Sequence, residues 1–235
     1  MKISRNVTNS ISYILDNLLP PLIRDSKWFM LLPMKLFYGK DYSTFMNFKR
    51  RLPFYSEKDI HQIYEDSEHG KITRETDLNS GSISFILSHL SGKKVLDIGC
   101  GTGYLCDLIA KDGYDVVGAD FVITNEAKQN YPDLKLVETT IEKTGFSDQE
   151  FDTVISAHTI EHIAEPVTAI KELRRIARKK LIIILPCQRP YQYTFDLHVN
   201  FYPYEYNVLR EIKPTSENFS LKKIQGDWVY EEWFE

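Results

Sequence analysis

Residues 95–120 read VLDIGCGTGYLCDLIAKDGYDVVGAD, and no other stretch of the chain limits its fold so tightly. A hydrophobic strand ends at Asp97, a turn carrying Gly99, Gly101 and Gly103 follows, and a helix takes over. A second strand, Val116 to Ala119, closes on the acid Asp120. Glycine lets the backbone turn tightly and approach a ligand with no Cβ in the way. An acid closing the next strand is placed to accept both hydroxyl protons of a ribose. Together these features predict a βαβ unit that holds an adenosine-containing ligand.

Spacing narrows the ligand. A dinucleotide fingerprint has the form G-x-G-x-x-G and sets a pyrophosphate on a helix N-terminus. Here the pattern is D-x-G-x-G-x-G, with Asp97 inside the strand end. A carboxylate there repels a pyrophosphate but suits a ligand carrying an ammonium and a sulfonium, as S-adenosylmethionine (SAM) does. The stretch resembles motif I and the following acid of the class I SAM-dependent methyltransferases, above all the small-molecule type that includes quinone-biosynthesis enzymes. The residues alone leave two alternatives: a structural glycine turn in another α/β protein, and a nicotinamide-binding Rossmann domain.

The 235 residues suffice for one α/β domain of ordinary size plus an extension. A hydrophobic share of 43% supports a packed core, and a net charge of −4 gives no electrostatic reason to expect a nucleic-acid partner. Cys100, Cys106 and Cys187 have no paired spacing and fall in or beside expected core elements, which predicts buried thiols in a reducing compartment. No C-x-x-C or close Cys/His set suggests a metal site. No apolar run approaches the roughly 20 residues of a membrane span, and Arg5, Asn6, Asn9 and Ser10 interrupt any signal-peptide core. These features point to a cytoplasmic protein.

Two domains are expected: a helical, aromatic-rich extension over residues 1–77 and a ligand-binding domain over 78–235. In the second, a helix over Ser82–Leu90 precedes strands at Lys94–Ile98, Val116–Asp120, Leu134–Glu138 and Phe151–Ser156. Pro166 opens a helix at its tolerated first position, with Ile170, Leu173, Ile176 and Ala177 at helical spacing. The basic residues Lys171, Arg174, Arg175 and Arg178 lie opposite that apolar stripe. Leu181–Leu185 is a continuous apolar run, as a central parallel strand covered on both faces requires. A helix near Tyr204–Ile212 and strands Phe219–Ile224 and Trp228–Trp233 follow, the last two joined around Gly226-Asp227 as a hairpin. The fold class is therefore α/β: a Rossmann-like, doubly wound, seven-stranded sheet, mostly parallel with an antiparallel last strand, plus the helical N-terminal extension. In that extension Ile3–Leu19 has helical spacing up to Pro20-Pro21, and aromatics crowd from Trp28 to Phe54. It could be a cap, a dimer surface, a contact with a membrane surface, or simply a packed extension.

The resemblance covers residues 74–190 and carries a set of roles with it. It implies that Asp97, Gly99, Cys100, Gly101 and Gly103 border the methionine end of SAM, that Asp120 chelates the ribose, and that Phe121 lies against the adenine. Where the family often has a Gly-Asp pair for the adenine amino group, this chain has Thr139 and Thr140, so adenine recognition falls to the backbone of Thr140 and Ile141. The segment SAHTIEHIAEP resembles the family's acid–histidine segment and puts Ser156 and His158 at a strand's carboxyl end, where open α/β sheets bind ligands. Glu161 and His162 form the acid–histidine pair, read as orienting the loop by hydrogen bonds, with catalysis or metal binding as the alternatives. Beyond the fifth strand, PCQRPYQYTFDLHVNFYPYEY holds Arg189, Asp196 and His198 among aromatics and faintly resembles methyltransferases of polysaccharide gene clusters. His158 and His198 are the candidate bases. The expected function is methyl transfer from SAM, leaving S-adenosylhomocysteine, to a small-molecule or sugar acceptor at oxygen. The alternatives are N- or C-methylation, or a non-catalytic SAM-binding regulatory or assembly protein. A homodimer and a peripheral membrane contact stay open as partners.

Overall fold

The computed structural model describes residues 14, 18–56, 59, 60, 62, 63, 75–193 and 195–234. Most of the Ile3–Leu19 segment expected to be helical lies outside them. The chain divides into two compact units, Met1–Arg74 with Gln188–Val199, and Glu75–Cys187 with Asn200–Glu235.

The first unit is built on three described helices: α1 (Pro21–Arg24), α2 (Lys27–Tyr38) and α3 (Tyr42–Arg51). Pro20 and Pro21 end the preceding segment, and Pro21 starts α1 where a missing N–H costs nothing. The core of this unit gathers Met30, Met34, Phe45, Met46, Phe48, Ile63 and Leu197. The segment 188–199 is fastened into it by backbone carbonyls: Arg24 donates to Pro190 O at 2.7 Å, Tyr38 to Phe195 O at 2.7 Å, and Lys49 to Tyr191 O at 2.6 Å. The sequence marks 188–199 as a stretch beyond the fifth strand, and these long-range contacts assign it to the first unit.

The second unit is a seven-stranded sheet flanked by helices. In chain order it runs α4 (Ser80–His89), β1 (Lys94–Ile98), α5 (Tyr104–Lys111), β2 (Asp115–Asp120), α6 (Asn125–Asn130) and β3 (Lys135–Glu138). It continues with β4 (Phe151–Ala157), α7 (Pro166–Ile176), β5 (Ala177–Pro186), α8 (Glu205–Ile212), β6 (Phe219–Ile224) and β7 (Asp227–Trp233). Strand order is β3-β2-β1-β4-β5-β7-β6. The first five strands are parallel, and β7 runs antiparallel between β5 and β6. The hairpin at Gly226 puts the last strand inside the sheet, with β6 at its edge. The Val/Ile/Leu-only stretch of β5 is fully buried at Leu181–Leu185, the pattern expected of a strand covered on both faces. Several boundaries shift by one residue from those read in the sequence, and two starts shift by more. Helix α4 starts at Ser80 because the Asn79 side chain caps it, accepting from Ser82 N at 2.8 Å. Strand β5 starts at Ala177, directly where α7 ends, because it pairs with β4 from Phe151 onward.

Candidate functional site

The order in the sheet reverses between β1 and β4: from β1 the chain builds outward through β2 and β3, then returns to add β4 and β5 on the other side. Open α/β sheets bind ligands at such a switch point, beyond the carboxyl ends of the strands. The loop after β1 lies there.

In that loop Gly99, Gly101 and Gly103 all have positive φ (82°, 50° and 84°). Two of them serve different ends. A Cβ on Gly99 would collide with the Thr159 hydroxyl, so this glycine is required by the loop after β4 packing over it. A Cβ on Gly101 would meet no heavy atom within 4 Å, and the residue is exposed. Gly101 therefore borders open space, where a ligand can approach bare backbone. The loop is pinned from below: Gly99 N and Cys100 N both donate to Ala119 O, at 2.7 and 3.1 Å. Gly118 in β2 completes the packing, since a Cβ there would come within 2.9 Å of Cys106 Sγ and 3.1 Å of Cys100 Sγ.

Two buried acids define the floor. Asp120, closing β2, accepts Gly101 N on Oδ2 at 2.8 Å and Val122 N on Oδ1 at 3.3 Å. Burial raises its pKa, against the pull of those backbone donors. Asp97 is more extreme. Its described partner is the Cys106 thiol, donating to Oδ2 at 3.3 Å, and burial pushes its pKa up to about 7, with the charge of Asp120 adding to the rise. A carboxylate so poorly compensated is the group a cationic ligand would relieve. Ser156, at the carboxyl end of neighbouring β4, is fully buried, with no partner for its hydroxyl among the described residues. An open glycine, the underpaired Asp97 beside the backbone-bonded Asp120, and a hydroxyl with no partner among the described residues are chemistry that fits a ligand bearing hydroxyls and positive charge.

The remaining residues read as adenine contacts have local work to do. Thr139 N donates to Asp120 O at 2.8 Å, and the Thr139 hydroxyl donates to Thr144 O at 3.1 Å, so the threonine closes the turn after β3. Thr140 bridges to Lys143 in the same turn, Ile141 is buried beneath it, and Phe121 is half-buried beside Asp120.

His158 follows β4 with φ 52°, a conformation that costs a non-glycine residue energy and persists only when surroundings enforce it. The enforcing contacts are visible. His158 N donates to Ile184 O at 3.0 Å, and its ring lies between two carboxylates, Nε2 3.3 Å from Asp227 and Nδ1 3.6 Å from Glu161. Burial alone would depress the ring's pKa. The hydrogen bond and charge of Asp227, with the charges of Glu161 and Asp77, outweigh it and raise the value to about 9. Asp227 is itself held by Asn79 at 2.6 Å and Ser82 at 2.8 Å. The ring is therefore an imidazolium near neutral pH. Sequence reasoning singled out His158 but missed Asp227, Asn79 and Ser82, which come from the hairpin and from α4. Beyond Glu161 the turn is tied by Asn200, whose Nδ2 donates to Ile163 O at 2.7 Å.

His198 belongs to the first unit. Its Nδ1 lies 2.6 Å from Gln188 Oε1 and 3.3 Å from Asp196 Oδ2.

Residues 96–185 match the family described as "Methyltransferase domain". Over 111 residues the chain is 32% identical to a protein of Aliivibrio fischeri named "Ubiquinone biosynthesis O-methyltransferase", covering 43% of this chain and 47% of that one. A protein of the same name from Cereibacter sphaeroides is 37% identical over 91 residues, or 35% of this chain and 37% of its own. The chain thus matches about half the length or less of these curated relatives. Among solved structures, a Pyrococcus horikoshii protein is similar at a TM-score of 0.55 and 19% identity, over 80% of this chain and 99% of that one. A Thermotoga maritima protein described as a SAM-dependent methyltransferase and possible histamine N-methyltransferase is similar at 0.53 and 15% identity, over 65% of this chain and 87% of its own. At such identities these structures establish a shared fold.

Proposed function

We propose that this chain, whose residues 96–185 match the family described as "Methyltransferase domain", is a class I SAM-dependent methyltransferase that transfers a methyl group from SAM to a hydroxyl of a small-molecule acceptor. The observation that carries the reading is the floor of the glycine loop: Gly101 bordering open space beside Asp120, with the underpaired Asp97 behind it. Bound SAM supplies an activated methyl group on a sulfonium. The chain's part is to bind, orient and exclude water. We assign the ribose hydroxyls to Asp120, which would exchange its bond from Gly101 N for them. Asp97 is assigned to the cationic methionine end, and backbone N–H groups of residues 99–103 to its carboxylate. Phe121, with the backbone at Thr140 and Ile141, is assigned to the adenine, and Ser156 to the wall of the pocket.

Oxygen as the methylated atom is favoured by the curated relatives named for O-methylation in ubiquinone biosynthesis. A hydroxyl acceptor has to lose its proton. His158 and His198 are the candidates for general base, and the raised pKa of His158, about 9, makes it a base only toward that pH. The test is calorimetric titration with SAM and S-adenosylhomocysteine, followed by an S-adenosylhomocysteine-release assay against phenols, catechols, sugars and amines. Binding of both nucleotides and turnover with a phenol or catechol is expected. Failure to bind either nucleotide overturns the whole reading, and turnover with amines alone overturns the assignment to oxygen. Replacing His198 with alanine is expected to cost at least 100-fold in kcat with KM little changed, and an unchanged kcat removes it as base.

A further inference from the structure

Helix α2 is apolar on two opposite faces. Met30 and Met34 point into the core of the first unit. Trp28, Leu32 and Leu36, spaced i, i+4, i+8, form a stripe on the far side, exposed at 74%, 64% and 75%. Leu22 of α1 and Phe54 beyond α3 are exposed at 88% and 84%. A globular helix ordinarily covers its outward face with polar residues, and one that is apolar all round belongs in a core or against lipid. Contiguous large apolar side chains left in water mark a contact site.

The charge around the stripe says what it contacts. From Lys27 to Phe54 the sequence carries Lys27, Lys35, Lys40, Lys49, Arg50 and Arg51 against the single carboxylate of Asp41, in a chain whose net charge is −4. All six except Lys49 are exposed. A symmetric contact with a second copy would bring two such cationic surfaces together, and like charges disfavour it. An anionic surface with an apolar interior meets both features at once. Among the described residues no helix is long and apolar enough to cross a membrane. We propose that the Trp28–Leu32–Leu36 face is an interfacial anchor by which the first unit lies on an anionic lipid bilayer. The aliphatic and indole groups enter the acyl boundary while the flanking lysines and arginines meet lipid headgroups. This goes beyond the methyltransferase reading and does not depend on it.

The experiment is co-sedimentation of the full chain with vesicles of phosphatidylcholine alone or with 30 mol% phosphatidylserine, with tryptophan emission followed in parallel. Binding to the anionic vesicles is expected, at least tenfold tighter than to phosphatidylcholine and reversed by 0.5 M salt. It should bring a blue shift that Trp28→Phe removes. The exposed-site variant Leu32→Gln/Leu36→Gln, with unchanged circular dichroism and melting temperature, should bind at least tenfold more weakly. So should Lys27→Gln/Lys35→Gln/Lys40→Gln, which leaves the apolar stripe intact. Absence of binding to anionic vesicles overturns the proposal, as does wild-type binding by both variants. It is equally overturned by a concentration-dependent dimer, or a complex with an acidic protein, that Leu32→Gln/Leu36→Gln dissolves in place of any lipid binding.

Discussion

Two buried aspartates at opposite ends of the same sheet meet opposite fates. Asp152, at the start of β4, accepts Lys93 N at 2.8 Å and Lys94 N at 3.0 Å on one oxygen, and pairs with the Arg178 guanidinium and the Lys179 ammonium on the other. Burial works against its charge, yet those partners hold its carboxyl far below the usual carboxylate range. Asp97, near the other end of adjacent β1, has one described partner, a thiol, and burial pushes its pKa up to about 7. The amino end of the sheet satisfies its buried charge for the sake of the fold. The carboxyl end leaves a charge unsatisfied, which costs stability and is tolerated where a ligand can complete it.

The comparison breaks most easily at Asp152. Replacing it with alanine strands the Lys93 and Lys94 backbone donors and should cost about 3 kcal/mol in urea denaturation, chiefly from those two hydrogen bonds to a charged group, since Arg178 and Lys179 are half-exposed and return to water. SAM affinity of the folded fraction should not change. A loss of binding without loss of stability would show that the two ends are not separate in function.

His158 gives the next largest effect, in a definite pH window. Its folded pKa, about 9, lies above the ordinary value of 6.5, so its stabilisation is complete below pH 6.5 and is lost as pH rises through 9. Unfolding free energy should fall by up to about 3 kcal/mol across that window, at about 1.4 kcal/mol per unit. Asp227→Asn, which removes the nearer carboxylate, should flatten the slope. An equal slope in the variant would place the titrating group elsewhere.

At the site itself, Asp120→Ala should weaken SAM binding about 100-fold in calorimetry, roughly 3 kcal/mol, and cost about 1–2 kcal/mol of stability, because Gly101 N and Val122 N lose their acceptor while the burial of a carboxylate is relieved. The smallest effect sharpens the contrast most directly. If cationic SAM needs the Asp97 carboxylate, affinity should rise about tenfold per pH unit up to pH 7 and then level off, with proton release on binding below pH 7. Asp97→Asn should abolish that dependence. Persistence of the pH slope in Asp97→Asn would assign the proton to another group.

Much of the second unit is legible in the sequence. Strands Lys94–Ile98 and Phe219–Ile224 lie where the sequence put them, because uninterrupted apolar or alternating runs bounded by glycine, proline or charge admit one periodicity. The antiparallel β7 followed from the short turn at Gly226. Helix α6 was not foreseen: NEAKQN carries almost no apolar stripe, and its N-terminus is fixed by the Thr124 side chain accepting from Ala127 N. The glycine loop and its two acids were visible in the sequence. That Gly99 serves packing against Thr159 while Gly101 borders open space was not, because both need the same backbone conformation and differ only in what stands opposite.

The sequence by itself determined the order of the strands and of the second unit's helices other than α6, the glycine turn and the placing of an acid at each of two strand ends. These depend on local periodicity and on the steric freedom of single residues, which neighbours in the chain dictate. Tertiary structure alone decided which acids are satisfied, that His158 is an imidazolium between Asp227 and Glu161, and that segment 188–199 folds into the first unit. The same structure leaves Trp28, Leu32 and Leu36 outside the core while Met30 and Met34 enter it. The physical reason is common to all four: desolvation and charge pairing depend on groups brought together from distant parts of the chain, and a local pattern carries no record of them.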